Sequence, residues 1–422
     1  MIREYRNEIS LQRRLIEGID MKILRLGGLN SPASRLLDIL ADERIEKIDL
    51  IVPESDVNNI KDIYNTAKYF NNNNILEKLS YNSYELSFSA KIKRKIIRKM
   101  EIKTLYPTIY KFLKKYKSKD FDLIWIGDND FDGSNDLFIA AREIFYDRIL
   151  IRSYKETRFH KYWPESEMIK NADAIIFPNE GYIEFFKKLY NFRVNSYVIA
   201  DLDWRYSKTI EWVNSLKVNK ISMNDNYPHV CILTGRALSD PSEERSGERY
   251  YFLPIISELI KRNIYVHMHA LRLVPSKGQD IDEYTKLSRI SKNFIIEKPL
   301  RLYAGSEDYK ILKRYDAGIL HPDVSKDNYA LYEFQKINIP NRIYEYQIAD
   351  VVPLQNNGSS EYTKMLVEKT GYGIIYENFD DLAERLFKLI NEKHQLQIKK
   401  INTYADFGNV LIDKALKLNK KN

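Results

Sequence analysis

The sequence predicts an α/β protein with two domains, each built on a doubly wound parallel sheet. The chain has 422 residues, which is the length of two domains of ordinary size. Its residues are 44% hydrophobic and 30% charged, a balance typical of globular proteins. Short apolar strands alternate with amphipathic helical segments in two successive runs, which is the pattern of a doubly wound sheet.

A polar stretch that lacks the strand pattern separates the two runs and marks the domain boundary. We predict an N-terminal extension at 1–20, a first domain at 21–205 and a linker at 206–228. A second domain at 229–400 and a closing helix at 401–422 complete the chain. For the charged extension, both a docking helix and a solvated segment remain open.

Composition and charge narrow the classes of function. The one cysteine, Cys231, excludes a disulfide framework and a cysteine-based zinc site, and it favours a reducing cytosol. We find neither the long uncharged apolar run of a membrane span nor a signal-peptide core, so we expect a cytoplasmic protein. The net charge of +8 favours an anionic partner, which leaves phosphate, nucleic acid and lipid surfaces open.

The first run opens at 21–35 with a strand, a glycine turn and a helix. Gly27 and Gly28 would let a ligand approach backbone N–H groups, so Gly28 is a candidate binding residue. A tight β–α turn without a ligand explains the same two glycines equally well. Further buried strands are predicted at 48–52, 121–126, 148–153, 172–178 and 197–200.

The second run begins at residue 229 with the same pattern of a strand followed by a glycine turn. Its first strand ends at Gly235, and Arg236 follows directly. Further strands are predicted at 264–269, 294–296, 317–320, 351–354 and 373–375, with helices between them and at 380–390 and 404–418.

The most informative stretch is 338–354, which predicts a loop, a helix and a buried strand. Pro340 suits the first turn of a helix, where a missing N–H costs nothing. Glu345 lies near the predicted helix N-terminus, where a carboxylate is stabilised and could accept both hydroxyls of a ribose. Arg342, one turn earlier, could reach a diphosphate. An ordinary surface helix with an Arg–Glu pair is the alternative.

Pro340, Arg342, Glu345 and Tyr346 match the nucleotide-sugar segment of GT-B glycosyltransferases, which this stretch resembles. The order of elements resembles the GT-B architecture over nearly the whole chain: two Rossmann-like domains facing a central cleft. The second half is similar to the retaining branch called family 4, or glycosyltransferase group 1. Two positions depart from that branch. Ile337 stands where its first glutamate is expected, and Asp350 replaces the glycine after the helix.

The resemblance implies transfer of a hexose from a nucleotide-diphosphate sugar to a glycan or glycoconjugate, with retention, as in polysaccharide biosynthesis. It assigns Gly235 and Arg236 to the diphosphate, with Arg236 also contributing to catalysis; a salt bridge is the alternative for Arg236. The family's nearby lysine is absent, and Arg245 and Arg249 are the closest substitutes, although a solvated face is favoured for both.

Histidines could supply further contacts around the sugar. His160 follows a strand of the first half, in a loop where family members often place a histidine near the reacting sugar, and it is the second catalytic candidate. His269 and His321 end strands of the second half. One of them could touch the donor, but core or rim positions are the more common place for such histidines.

We expect no metal and no other cofactor, because GT-B enzymes stabilise the leaving diphosphate with side chains and helix dipoles. Asp128 and Asp130 form the one Asp-x-Asp pair in a suitable loop. They end a strand of the first half, away from the presumed donor site, so a metal or acceptor role is the weaker interpretation.

A strongly basic stretch at 91–119 carries twelve Lys and Arg residues against one acid. Its apolar residues fall on one helical face, as in helices that lie on anionic membranes. The candidates for an acceptor or membrane surface are Lys93, Arg94, Lys95, Arg98 and Lys99. This predicts peripheral attachment to the inner face of a membrane and a lipid-linked acceptor. A helix packed on the sheet with a solvated lysine face is the alternative. We expect no nucleic-acid partner, because no binding motif accompanies the charges.

Two other functions remain open. A nucleotide-sugar epimerase of the GT-B type would form an epimer from the donor alone. A non-catalytic sugar-nucleotide binding protein is also compatible with the missing first glutamate.

Overall fold

The computed structural model divides into two compact units, Met1–Ser207 with Asn402–Asn422, and Lys208–Ile401. It describes residues 20–27, 36–54, 57–84, 106–127, 134–154, 165, 169–191, 197–199, 207–244, 246–392 and 404–419. Predicted features at Gly28, Asp128, Asp130, His160 and 91–105 lie outside these residues.

The first unit is built on a parallel sheet of seven strands, in the spatial order β3-β2-β1-β4-β5-β6-β7. The strands are β1 (Met21–Leu26), β2 (Ile45–Pro53), β3 (Leu79–Tyr84), β4 (Leu123–Ile126), β5 (Ile149–Ser153), β6 (Ala174–Phe177) and β7 (Tyr197–Ile199). The chain moves outward from β1 in one direction and then, from β4, in the other. The first sheet is therefore doubly wound, as the sequence predicts.

The second unit has a parallel sheet of six strands, in the order β12-β10-β8-β13-β14-β15, and a short parallel pair of β9 and β11. The strands are β8 (His229–Thr234), β9 (Ala237–Leu238), β10 (Tyr265–Ala270), β11 (Leu273–Val274), β12 (Phe294–Ile296), β13 (Ala317–Ile319), β14 (Val352–Asn356) and β15 (Ile374–Tyr376). This sheet is doubly wound about β8, so the fold class is α/β with two Rossmann-like domains.

Helices connect the strands in both units. In chain order they are α1 (Leu36–Leu40), α2 (Val57–Tyr69), α3 (Tyr106–Leu113), α4 (Ser134–Ile144), α5 (Glu180–Tyr190), α6 (Ser207–Ser215), α7 (Ser222–Asp225), α8 (Leu253–Lys261), α9 (Glu283–Ile290), α10 (Glu307–Leu312), α11 (Tyr329–Ile337), α12 (Arg342–Ile348), α13 (Glu361–Thr370), α14 (Phe379–Asn391) and α15 (Tyr404–Asn419).

Local sequence explains where several of these helices begin and end. Asn378 caps α14 by accepting hydrogen bonds from the N–H groups of Asp380 and Asp381, as N-cap asparagines do. Asn179 caps α5 in the same way, and Asn191 ends that helix in the left-handed region with φ of 46°.

The two faces of the second sheet differ in character. One face is an apolar core formed by alternate strand residues such as Val230 and Ile232, covered by α8 and α14. On the other face, β8 and β10 carry three buried histidines, His229, His267 and His269. Because side chains alternate along a strand, the polar set and the apolar set come from the same two strands.

The C-terminal helix α15 packs on the first unit. Arg44, in the turn before β2, binds Asp413 at 2.9 Å, and Gly408 lies against Ile39 of α1. Residues 206–228, predicted as a linker, contain α6 and α7. Lys313 ties α6 to the second unit, because its ammonium group donates to the Val213 carbonyl at 3.2 Å.

In the described end of the basic stretch, residues 106–119, several apolar side chains belong to the core of the first unit. Ile109, Leu113 and Tyr116 are all buried against the first unit, and Lys119 forms an ion pair with Asp49 at 2.8 Å. The expectation that the apolar face continues through residues 109–116 as a surface for lipid is therefore wrong. Those residues show the alternative, a helix packed on the domain with exposed lysines.

Candidate functional site

The candidate site lies at the carboxyl ends of β8 and β13. These neighbouring strands are the point where the winding of the second sheet reverses. They pair at Ala317 with Val230 and Gly318 with Cys231, and no further pair is formed toward their carboxyl ends. A crevice outside the carboxyl ends of two such strands is where open α/β sheets bind ligands.

Tyr346, from α12, bridges the two strands. Its hydroxyl accepts a hydrogen bond from the Leu233 N–H at 3.1 Å and donates to the Ile319 carbonyl at 3.2 Å. Burial raises the pKa of Tyr346 well above its ordinary value, so the hydroxyl keeps its proton and can donate. The tyrosine of the segment 338–354 thus holds α12 in place beside the crevice.

The end of β8 has open space above its backbone. Gly235 follows the strand directly, and a β-carbon added there would meet no atom within 4 Å. The Thr234 hydroxyl donates a hydrogen bond to the Arg236 carbonyl at 2.6 Å across the turn that follows β8. Strand β9 begins directly after this turn. A ligand can therefore approach the backbone at Gly235, whose role in donor binding stays a prediction.

Arg236 forms an ion pair. Its guanidinium lies 2.9 and 2.7 Å from the two carboxylate oxygens of Glu244 and stacks over the Tyr250 ring at 4.3 Å. This is the salt bridge that the sequence left open as the alternative. The role of Arg236 in donor binding and catalysis stays a prediction.

Arg249 is buried, with only 7% of its surface exposed. Its guanidinium lies over the Phe334 ring at 5.0 Å. Within the described part of the chain its Nε has no hydrogen-bond partner. The expectation of a solvated face is therefore wrong for Arg249, while Arg245 lies outside the described residues.

His321 follows β13 and is buried beside the arginines. Its Nε2 accepts a hydrogen bond from the Asn338 amide at 3.2 Å, whereas its buried Nδ1 has no partner among the described residues. Burial, together with the charges of Arg249 and Arg342, holds the pKa of His321 well below its ordinary value. The ring is neutral, and with Nε2 accepting, the hydrogen is on Nδ1.

Glu248 holds together the loops that follow β8 and β13. Its carboxylate accepts hydrogen bonds from the Ser325 N–H at 2.5 Å and the Asn328 amide at 3.2 Å. Arg249 comes next in the chain and packs on Phe334 of α11, so both loops meet around the buried guanidinium.

Arg342 and Glu345 lie one turn apart on α12, and both are half-buried. Glu345 accepts a hydrogen bond from the Tyr309 hydroxyl at 3.1 Å. The Arg342 guanidinium lies 5.9 Å from the centre of the Phe252 ring. The charge of Arg342, like that of Arg249, acts on His321, and the Glu345 carboxylate lies one turn along the same helix as Arg342.

The backbone conformation of Asp350 explains how α12 ends without the glycine of the branch that the sequence resembles. Asp350 adopts φ of 57°, the left-handed conformation that a helix C-terminus commonly uses. The Tyr372 hydroxyl donates to its carboxylate at 2.9 Å, and Lys220 donates to its carbonyl. Aspartate tolerates this conformation better than most residues, so the substitution leaves the turn intact.

His269 is a core histidine. Its Nδ1 lies 2.6 Å from the Lys298 carbonyl and its Nε2 lies 2.9 Å from the Tyr315 hydroxyl, so both ring nitrogens are engaged.

Sequence reasoning missed Tyr309 and Asn338 as partners of the site. A tyrosine eight residues before a strand and an asparagine two residues before a proline carry no pattern that separates them from core and turn residues. Their importance appears only when the loops come together.

The predicted site residues Gly28, His160, Lys93, Arg94, Lys95, Arg98 and Lys99 all lie outside the described residues. In the part of the chain that the structure describes, no group of three or more His, Cys, Asp and Glu side chains could hold a metal ion. Within the same residues, no helix is long and apolar enough to cross a membrane.

No family model matches the chain, and no curated protein matches it. Among solved structures it is similar to a glycosyltransferase from Rickettsia africae ESF-5, with 11% identity, a TM-score of 0.49 and coverage of 95% of this chain and 98% of that one. It is also similar to the UDP-GlcNAc 2-epimerase of Methanocaldococcus jannaschii in complex with UDP-GlcNAc and UDP, with 13% identity, a TM-score of 0.49 and coverage of 93% and 99%. A third is AviGT4, a glycosyltransferase of avilamycin A biosynthesis, with 8% identity, a TM-score of 0.44 and coverage of 95% of each chain. The fold class rests on the two sheets described above.

Proposed function

We propose that the protein is a glycosyltransferase that moves a sugar from a nucleotide-diphosphate donor to a glycan or glycoconjugate acceptor. The observation that carries the proposal is a pair of buried N–H groups, Nε of Arg249 and Nδ1 of His321, neither of which has an acceptor in the described structure. The charges of Arg249 and Arg342 both act on His321, so these donors belong to one positively charged site.

Buried donors of this kind call for an anion. Each unsatisfied buried polar group costs about 1–3 kcal/mol, and more when it is charged. In the described residues no carboxylate is paired with the Arg249 guanidinium, and the neighbouring histidine is a neutral donor. A diphosphate would supply acceptor oxygens to both groups, and charge-assisted hydrogen bonds to guanidinium are among the strong ones.

Two neighbouring features favour a nucleotide over a free phosphate. The open backbone at Gly235 would admit a pyrophosphate at the point where the sheet reverses. The carboxylate of Glu345, one turn from Arg342, would accept hydrogen bonds from ribose hydroxyls.

In the proposed reaction the arginines stabilise the negative charge that develops on the leaving diphosphate. Because this charge stabilisation comes from side chains, the proposal includes no metal. Retention, the hexosyl group, and the catalytic roles of Arg236 and His160 come from the resemblance of the sequence and are part of the same proposal.

The test is titration of UDP, GDP, ADP and CDP into the protein by calorimetry. We expect one of them to bind, and Arg249→Gln to weaken that binding about tenfold or more, since hydrogen bonds to charged groups contribute about 1.5–3 kcal/mol. Arg289→Gln is the matched control, because Arg289 is exposed on α9. Failure of all four nucleotides to bind, or equal effects of both substitutions, would overturn the proposal.

Reaction assays separate transfer from the alternatives. A transferase releases nucleoside diphosphate from a nucleotide sugar faster when an acceptor is present. Formation of an epimer from the donor alone would identify a nucleotide-sugar epimerase. Tight binding of a nucleotide sugar without any turnover would identify a binding protein.

A further inference from the structure

Tyr309 lies in the core of the second unit with its hydroxyl directed at Glu345. The residue is 0% exposed, and its hydroxyl donates to Oε2 of Glu345 at 3.1 Å. Glu345 itself is half-buried at the rim of the site. The buried Tyr309 thus donates a hydrogen bond to Glu345, the side chain that the proposed function assigns to ribose binding.

We propose that Tyr309 is a positioning residue, which orients the Glu345 carboxylate and thereby makes the site select ribonucleotides over deoxyribonucleotides. This inference rests on the proposed function. It adds a residue and a specificity that the resemblance of the sequence did not supply.

The physical basis is the loose terminal torsion of glutamate. Rotation of a carboxylate about its last bond is broad and roughly two-fold, so the group has no strong orientation of its own. A hydrogen bond from a fixed hydroxyl selects one orientation. An ionised carboxylate has about four acceptor positions, and Tyr309 uses one of them on Oε2.

Tyr309 can fix the carboxylate because its own ring is held. The edge of one ring meets the face of the other where Tyr309 packs on Trp212 of α6, with centroids 5.8 Å apart and planes at 86°. Ser306 caps α10 by accepting from the Asp308 N–H at 3.1 Å, which fixes the start of the helix that carries Tyr309. The Lys313 ammonium group donates a hydrogen bond to the Val213 carbonyl, which keeps α6 beside α10.

Orienting the Glu345 carboxylate in advance should affect the preference for ribonucleotides over deoxyribonucleotides more than it affects the stability of the fold. With the carboxylate oriented, both hydroxyls of a ribose find an acceptor, whereas a 2′-deoxyribose leaves one acceptor position unused. Removal of the Tyr309 hydroxyl takes this hydrogen bond away from the carboxylate, so we expect the advantage of the second ribose hydroxyl to fall.

The experiment measures the Kd of the nucleoside diphosphate that binds best and of its 2′-deoxy form. We expect the wild-type protein to prefer the ribonucleotide about tenfold. Tyr309→Phe should reduce this preference to about threefold or less, and Glu345→Gln should do the same. Tyr146→Phe is the control, because Tyr146 is 72% exposed in the other unit.

A purely structural role would lower the melting temperature and leave the ratio of the two Kd values unchanged. If Tyr309→Phe does not fold, Trp212→Leu gives a second measurement, because it keeps the Tyr309 hydroxyl but removes the ring against which Tyr309 packs. This variant should also lower the ratio of the two Kd values. In turnover, Tyr309→Phe should raise KM for the donor with little change in kcat.

An unchanged ratio in Tyr309→Phe, or in Trp212→Leu where only that variant folds, would overturn the inference. So would a wild-type protein that binds both nucleotides equally, and in these cases the proposed function would stand. If no nucleoside diphosphate binds at all, the proposed function fails and this inference fails with it.

Discussion

The ring of Tyr346 occupies the space that a side chain at position 318 would need. A β-carbon added to Gly318 would lie 2.5 Å from two ring atoms of Tyr346. Gly318 pairs with Cys231 of β8, one of the two strands that flank the site, and its absent side chain lets the ring pack directly on β13. The glycine on β13 therefore determines how closely α12, with Arg342 and Glu345, approaches the sheet.

Gly318→Ala should destabilise the protein by about 1–3 kcal/mol, which is the usual cost of overpacking a core. Without a clash, alanine in a strand interior would be the more favourable residue by about 0.5–1 kcal/mol. The free energy of unfolding, measured by urea titration, checks the prediction. A Gly318→Ala protein as stable as the wild type would show that the ring of Tyr346 can move aside at little cost.

Gly235→Ala is the matched substitution at the neighbouring strand end, and it should behave differently. No atom lies within 4 Å of a β-carbon at this position, so we expect a change in stability below about 0.5 kcal/mol. The methyl group would enter the space assigned to the diphosphate. Calorimetric affinity for the nucleoside diphosphate should therefore fall several-fold. Equal affinity in both proteins would place the diphosphate away from Gly235.

The strands of both sheets could be predicted because they are short apolar runs between glycine, proline and polar turns. The predicted strand at 294–296 matches β12, and the strand predicted at 373–375 overlaps β15. Strand β3 was missed because Leu79–Tyr84 alternates serine, asparagine and tyrosine and has almost no apolar run. It lies at an edge of its sheet, where neighbours on both sides are not required.

The site was predicted only in part, because residue type and spacing carry no information on burial. Arg249 lies in a polar stretch that suggests a solvated face, and its burial depends on Phe334, which is 85 residues later in the chain. Arg236 follows a glycine at a strand end, as the resemblance requires, yet its partner Glu244 could not be distinguished from other nearby acids. Tertiary contacts between distant loops decide both cases.

Acidification should destabilise the second unit through its buried histidines. His267 lies between two groups, with Nε2 at 2.9 Å from Nδ1 of His229 and Nδ1 at 3.0 Å from the carboxylate of Glu297. Burial lowers the pKa of His267 from its ordinary value near 6.5 to about 4, against the opposing effect of Glu297. His229 and His269 face the same ring and lower its pKa further. His267 is therefore neutral in the folded protein.

The sign follows from the two states of His267. Between about pH 6.5 and 4 the unfolded chain binds a proton that the folded chain does not, so stability falls as the pH falls through this window. Each unit of difference in pKa corresponds to about 1.4 kcal/mol. Urea titrations at several pH values should show this slope, and His267→Gln should reduce it. An identical slope in the variant would show that other groups carry the pH dependence.

Chelation should leave the proposed transferase active. The charge on the leaving diphosphate is assigned to Arg249 and Arg342, and no three ligating side chains come together in the described part of the chain. We expect turnover in EDTA to stay within about twofold of turnover in magnesium. Loss of activity on chelation, restored by magnesium or manganese, would instead make Asp128 and Asp130 metal ligands, and Asp128→Asn would then abolish the restoration.

The basic residues Lys93, Arg94, Lys95, Arg98 and Lys99 should attach the protein to anionic lipid. Each Lys or Arg near an anionic leaflet contributes about 1 kcal/mol, an attraction that falls with salt. The apolar residues that could insert beside them are Ile92, Ile96, Ile97 and Met100. Farther along the stretch, Ile109, Leu113 and Tyr116 are buried in the core. We expect co-sedimentation with vesicles that contain phosphatidylserine at low salt and release at high salt.

Replacement of these five residues with Gln should abolish the co-sedimentation and leave nucleotide binding unchanged. The matched control replaces four exposed lysines near the end of the same stretch, Lys111, Lys114, Lys115 and Lys117. If attachment depends on the segment and not on net charge, this control protein keeps most of its binding. An equal loss of co-sedimentation in both variants would show that attachment depends only on the overall charge of the protein. A wild-type protein that stays in the supernatant at low salt would remove the reason to expect a lipid-linked acceptor.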